Sequence, residues 1–247
     1  MSFGLGRGRA LDDAPGAVGV APSELGPIPD EAIADRALAH IDPRAWFSDP
    51  ASPLEVEIGT GKGAFLIQQA RLQPETNFLG VEWAGEFYLY AADRIRRWRS
   101  RGMLDNVRML RADATEWLAW RVPPGVISVL HLYFSDPWPK ARHHKKRVVR
   151  DSVLADAWRA LTPGAEIRIV TDHDDYWAWM EDHFARWTSP EAWRLLNLDP
   201  AGEAGPYERL PFDRPASAEA GELVGTNFER KYRREGRPFH ACVLRKT

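Results

Sequence analysis

From about residue 54 onward, short apolar runs and amphipathic stretches alternate without a break. PLEVEIG, beginning at Pro53, has strand character and KGAFLIQQARLQ that of a helix. NFLGVEW is again a strand, and AGEFYLYAADRIRRWRSRG a helix that ends at Gly102. NVRMLRAD, ATEWLAW and VISVLHLYF continue as strand, short helix and strand, the last apolar enough for burial on both faces. RVVRDSVLADAWRALTPG then predicts a helix, AEIRIVTD a strand and DDYWAWMEDHFARW a helix. Such alternation builds βαβ units around a mostly parallel sheet. Right-handed crossovers carry the helices to both of its faces. The expected fold is therefore α/β and Rossmann-like, a doubly wound sheet to which the C-terminal FHACVLRK adds an antiparallel edge strand.

The flanking segments behave differently. Residues 1–30 are rich in Gly, Pro and Ala without periodicity, and predict a flexible tail. Residues 30–41 have helical spacing, with Asp30 as N-cap, and residues 199–221 predict a loop. A chain of 247 residues suits one large domain, expected over residues 31–247. The formal net charge of -2 excludes a protein that is basic overall but leaves room for a local basic face. No apolar run nears the roughly 20 residues that span a bilayer. The first residues lack the apolar centre of a secretory signal, so a cytoplasmic setting without membrane contact is expected. Cys242 is the only cysteine, which excludes an intrachain disulfide and a cysteine-based zinc site. No metal is expected.

Open α/β sheets bind ligands beyond the carboxyl ends of their strands, so the residues there carry the functional information. After the first strand comes Glu57-Ile58-Gly59-Thr60-Gly61-Lys62-Gly63, whose glycines allow tight turning and close approach of a ligand to the backbone. Glu82 ends the second strand 23 positions after Gly59, near the spacing expected of an acid that binds ribose hydroxyls. The pair points to an adenosine-containing cofactor. The glycines run G-x-G-x-G, not the dinucleotide pattern G-x-G-x-x-G, and Glu57 would repel a pyrophosphate. A carboxylate there attracts an amino group or a sulfonium, which favours S-adenosylmethionine over NAD. Asp113 ends the third strand, where it either accepts from the adenine amino group or N-caps the next helix, two roles that are compatible.

The segment after the fourth strand is the most distinctive. Phe134-Ser135-Asp136-Pro137-Trp138-Pro139 is stiffened by two prolines and holds Asp136 and Trp138 near the transferred group. Lys140-Ala141-Arg142-His143-His144-Lys145-Lys146-Arg147 follows, a basic run without an acid, suited to phosphates of a nucleic acid. Two further basic clusters lie at Arg94–Arg101, where helix-dipole stabilisation is a sufficient reason, and at Arg230–Arg237.

With these residues the chain resembles the bacterial tRNA (guanine-N7-)-methyltransferases, class I enzymes that use S-adenosylmethionine. The resemblance covers roughly residues 53–246. It is carried by Asp-Pro-Trp-Pro-Lys-x-Arg-His-His-Lys-x-Arg at Asp136–Arg147, EIGTGKG at Glu57–Gly63, GVE at Gly80–Glu82, Asp113, Thr171-Asp172 and TNFE at Thr226–Glu229. It implies a class I methyltransferase fold and methyl transfer from S-adenosyl-L-methionine to N7 of a variable-loop guanine in tRNA. It implies Glu57, Gly59, Gly61, Glu82, Asp113 and Asp136 as cofactor contacts, with Asp136 also catalytic. Lys140, Asp172, Thr226, Asn227, Phe228 and Glu229 would touch the guanine and tRNA. Arg142, His143, His144, Lys145, Lys146 and Arg147 would bind RNA. Asn227 replaces the lysine usual in that family, which removes any charge contact it makes, with Lys231 nearby as a substitute. A monomer or weak homodimer is expected. A nicotinamide-dependent oxidoreductase and a non-catalytic RNA-binding module are the competing readings. Glu57 and the glycine spacing oppose the first, and the full set of acids opposes the second.

Overall fold

The computed structural model describes residues 5, 8–199 and 203–247. Seven strands form one sheet: β1 (Leu54–Ile58), β2 (Asn77–Val81), β3 (Val107–Leu110), β4 (Ile127–Tyr133), β5 (Leu161–Thr171), β6 (Tyr207–Leu210) and β7 (His240–Lys246). Their order is β3-β2-β1-β4-β5-β7-β6. The first five run parallel, and β7 lies antiparallel to β5. β7 is not the outer edge, because β6 pairs with it from Tyr207 opposite Lys246 to Leu210 opposite Val243. This short strand falls in the Pro- and Gly-rich stretch expected to be loop. The α-helices are α1 (Pro22–Leu25), α2 (Ala64–Leu72), α3 (Gly85–Arg99), α4 (Ala114–Trp120), α5 (Asp151–Ala160), α6 (Asp174–Trp187) and α7 (Asn227–Arg234). α5 is shorter than its amphipathic stretch suggests: Leu161–Gly164 already belong to β5, and Val148–Arg150 precede the helix. Among the described residues, no helix is long and apolar enough to cross a membrane.

Strand alternation divides the core between two faces. Val56, Leu130 and Ile167 pack with α4, α5 and α6 residues such as Leu118, Leu154 and Phe184. On the other face Phe78, Val107 and Met109 meet Leu66, Ile67, Ala91 and Ile95 of α2 and α3. That second face is partly polar in the middle. His131 of β4, 2% exposed, shares hydrogen bonds with Glu55 at 2.8 Å and with the Tyr133 hydroxyl at 2.9 Å. Burying such groups is tolerable because each has a partner.

The expectation of a flexible tail over residues 1–30 is corrected for much of that segment. Val18 is fully buried, and Gly19 bridges Met109 in parallel at the free edge of β3. Met109 donates to the Val18 carbonyl at 2.9 Å and Val20 donates to the Met109 carbonyl at 2.8 Å. Arg108, 4% exposed, reaches the Trp46 carbonyl at 2.6 Å and Glu24 at 2.8 Å. The segment satisfies backbone groups that an open sheet edge leaves unpaired. Residues 30–41 form two single turns of 3-10 helix, Asp30–Ile33 and Arg36–Ala39, instead of one α-helix. Asp30 is the first residue of its turn rather than the cap, and Asp35 caps the second turn through the Ala37 N–H.

Candidate active site

Glu57 and the glycine loop, Glu82, Asp113 and Asp136 lie at the carboxyl ends of β1, β2, β3 and β4, at one edge of the sheet. Gly59 and Gly61 have φ of +76° and +55°, values open to glycine but strained for other residues. The space where a Cβ would stand at Gly59 is open, so the loop forms a cradle. At Gly80 the reason for glycine differs: a Cβ would come within 2.7 Å of Thr60 Oγ1 and Met109 Sδ. Glu82 fastens the cradle. Its Oε2 accepts from the Gly61 N–H and its Oε1 from the Ala84 N–H, both at 2.8 Å.

Glu57 is 4% exposed, and its Oε2 is buried without a hydrogen-bond partner among the described residues. Burial, then the negative charge of Glu82, pushes its carboxyl well above the usual carboxylate range, while the Leu66 N–H opposes the shift. Burial also raises the Glu82 carboxyl; the Ala84 and Gly61 N–H groups pull it back, and Asp136 adds a further upward push. A buried carboxylate with one oxygen unsatisfied beside a second acid is costly alone and becomes favourable opposite a cation. The cradle therefore fits a cationic adenosine cofactor and disfavours a pyrophosphate. Asp113 caps α4, with Oδ1 accepting from Thr115 N at 2.8 Å and from the Thr115 hydroxyl at 2.7 Å. Trp83, 71% exposed directly after Glu82, adds an aromatic face at the same edge. Its position next to a strand-end acid was the available signal for it.

The loop after β4 is strained at both ends, with Phe134 and Trp138 at φ of +54° and +43°. Asp136 is exposed, Lys140, Arg142, Lys145 and Lys146 are exposed, and His143 and His144 are half-buried. Residues Ala141–Lys146 form a 3-10 turn. His143 meets the Trp138 ring edge-on at 5.7 Å, and Lys146 Nζ lies 4.7 Å from its centroid. His144 meets Trp179 of α6 at 5.6 Å. Arg147 departs from its neighbours and corrects the expectation of an RNA contact. It is 1% exposed, donates from Nε to the Pro137 carbonyl at 2.8 Å, pairs with Asp175, and lies over Tyr176 and Trp179. Its guanidinium pins the Asp136 loop to α6 and is out of reach of a phosphate.

The TNFE segment opens α7 above the glycine loop. Thr226 caps the helix, its Oγ1 accepting from the Glu229 N–H at 3.0 Å. Phe228 is 43% exposed, with Cε2 at 3.5 Å from where a Gly61 Cβ would stand. The Asn227 side chain lies outside the described residues. Glu229 corrects the expectation of a substrate contact: it is fully buried and accepts from the N–H groups of Leu223, Val224 and Gly225 and from Arg233. Its carboxylate shapes the turn that delivers α7. Asp172, at the end of β5, accepts from Arg237 Nη1 at 2.7 Å. The arginines of α3 are structural: Arg96 and Arg97 converge on buried Asp93, and Arg99 donates to three carbonyls of residues 104–107.

The strand order, the antiparallel β7 and an acid-lined glycine cradle at the strand ends define a class I methyltransferase fold. A family described as putative methyltransferase matches residues 51–198. A tRNA (guanine-N(7)-)-methyltransferase of Rhodopseudomonas palustris is 39% identical over 185 residues, covering 74% of this chain and 68% of that protein. A protein of the same name from Nitrobacter hamburgensis is 39% identical over 145 residues, covering 59% of this chain and 55% of its own length. The chain belongs to the tRNA (guanine-N7-)-methyltransferase family. Its alignments span a little over half to two thirds of the length of these two relatives. Among solved structures, the 16S rRNA methyltransferase KamB superposes with a TM-score of 0.52 at 15% identity, over 90% of this chain and 94% of that one, a likeness of fold.

Proposed function

We propose that this protein transfers the methyl group of S-adenosyl-L-methionine to N7 of a guanine in the variable loop of tRNA. The observation that carries the reading is the buried Glu57 carboxylate at a glycine cradle, its Oε2 without a hydrogen-bond partner, with exposed Asp136 on a stiff loop beside it. When bound, the cofactor supplies an electrophilic methyl group on a sulfonium. Glu57 would hold its cationic amino-acid end, Glu82 the ribose hydroxyls, and the free lone pairs of Asp113 the adenine. Guanine N7 carries an in-plane lone pair and no proton, so the chain need provide no general base. Asp136 acts by orienting the guanine edge and by stabilising the positive charge that develops on the purine. Asp172 is a second acceptor for the N1–H and 2-amino edge. Exposed Lys140, Arg142, Lys145 and Lys146 meet phosphates, with Trp138 between them as a stacking surface.

The test is methyl transfer with purified protein, labelled cofactor and unmodified tRNA, followed by aniline-type cleavage at N7-methylguanosine. A single cut in the variable loop is the expected result, and label at another atom or loop would sink the proposal. Asp136→Asn should lower kcat by about 100-fold or more, because its charge acts at the developing cation. Its tRNA affinity should stay near that of the unaltered protein. Undiminished turnover would remove Asp136 from the chemistry.

A further inference from the structure

Arg237 and Tyr232 form an arrangement that the proposed chemistry does not use. The Arg237 guanidinium carbon lies 4.0 Å from the Tyr232 ring centroid, and Nη1 donates to Asp172 Oδ2 at 2.7 Å. A second nitrogen reaches Glu235 at 2.8 Å. Tyr232 is bordered by Phe134 at 6.1 Å, the residue two before Asp136, and by Phe228 at 6.1 Å, which overhangs Gly61. Its phenol feels the charges of both Asp172 and Asp136; burial is the larger influence, and together they raise it. A flat ring thus lies beside the Arg237–Asp172 pair and against Phe134 of the Asp136 loop, near the cofactor loop. The Arg237 side chain remains 43% exposed, so its release uncovers it to solvent and buries no charge.

The N1–C2–N2 edge of guanine is itself a guanidine fragment. It is planar, carries adjacent N–H donors that match a carboxylate, and stacks on aromatic rings. Arg237 makes with Tyr232 and Asp172 the two contacts that such an edge would make. We propose that Tyr232 is the stacking platform of the acceptor guanine, and that Arg237 holds that seat in the free protein until the base displaces it. The inference rests on the guanine N7 reading above and adds to it a specificity-determining residue and a competitor built into the chain. It also explains why Asp172, 13% exposed, is not left as an uncompensated acid before RNA arrives.

Two measurements decide the matter. In steady-state methylation of tRNA, Tyr232→Leu should lower kcat/KM about tenfold, the worth of one base–aromatic stack. Tyr232→Phe, which keeps the ring, should recover most of that loss, while S-adenosylhomocysteine binds both variants as it binds the unaltered protein. Separately, guanosine binding is followed by saturation-transfer NMR with S-adenosylhomocysteine saturating. Arg237→Ala should bind guanosine about two- to fivefold tighter, the factor set by releasing a partly exposed ion pair, and should gain nothing for adenosine. A Tyr232→Leu enzyme as active as the unaltered one, or a Tyr232→Phe enzyme as poor as Leu, overturns the platform. Unchanged or weaker guanosine binding by Arg237→Ala overturns the occupied seat, and this arm decides even if Tyr232→Leu fails to fold. Failure of the unaltered protein to methylate tRNA guanine would bring down the parent reading and this one together, and only that outcome involves no variant.

Discussion

At the scale of single residues, Glu57 couples cofactor binding to protons. Its carboxyl is raised first by burial and then by Glu82. A carboxyl raised in the folded state binds more protons folded than unfolded between the two pKa values. The cofactor-free protein should therefore lose stability as pH climbs through that window. A cationic ligand reverses the preference and expels the proton. Affinity for S-adenosylmethionine should rise by up to about tenfold per pH unit within the window and level off above it. Calorimetry in two buffers of different ionisation enthalpy reads the released proton directly; buffer-independent heats would show that Glu57 is already charged. Glu57→Gln should abolish the loss of stability of the free protein across that pH window, since it removes the group that titrates there. The same change should cost the cofactor the worth of a charged hydrogen bond, about 1.5–3 kcal/mol. Stabilisation by added cofactor should shrink accordingly in a thermal melt.

Among the elements, the loop after β4 behaves as a lever held at one end. Asp136 sits on the exposed part, while Arg147 anchors the far end through the Pro137 carbonyl, Asp175, Tyr176 and Trp179. Arg147→Met keeps the bulk and removes the donors, so the loop should drift. Displacements near 1 Å are enough to cost about 100-fold in rate, so kcat should fall steeply with cofactor affinity kept. Equal kcat would show that the two prolines alone hold Asp136. This element also shows what was legible in the sequence. Glu57, Glu82, Asp113 and Asp136 could be read because strand periodicity fixes where each strand ends, and ligands bind beyond those ends. Arg147 could not be separated from the basic run before it, because its burial is decided by α6 aromatics about 30 positions away. Glu229 was obscured in the same way, since its donors come from a turn in a segment without periodicity. β6 carries little signal because four residues with two exposed acidic or basic positions, Glu208 and Arg209, give a weak alternation. Val18 and Gly19 were hidden by their setting among glycines and prolines, where the partner, the open edge of β3, is supplied only by the tertiary fold.

For the whole molecule, the net charge of -2 conceals a strong asymmetry. Many of the 27 arginines are taken up internally: Arg108 and Arg147 are buried, Arg96 and Arg97 surround Asp93, and Arg230 and Arg233 answer Glu222 and Glu229. Arginine abundance is therefore a poor measure of the RNA-facing charge. Exposed cations beside the cradle include Lys62 of the glycine loop, Lys231 and Arg234 of α7, and a group of four, Lys140, Arg142, Lys145 and Lys146, on one short turn next to Asp136. The acids in the cradle suit a cationic cofactor and repel a polyanion, so the phosphates should be held at its rim and only the base should enter. This division makes affinity for tRNA depend on few contacts. Each phosphate contact contributes roughly 0.7–0.9 to the slope of log affinity against log salt. Replacing all four cations with glutamine should lower that slope by about 3 and weaken every tRNA alike, whichever guanine is offered. Filter binding from low to high salt measures it. A slope that stayed the same would mean that the phosphates lie on another face, and the C-terminal arginines from Arg230 to Arg237 would be the next set to neutralise.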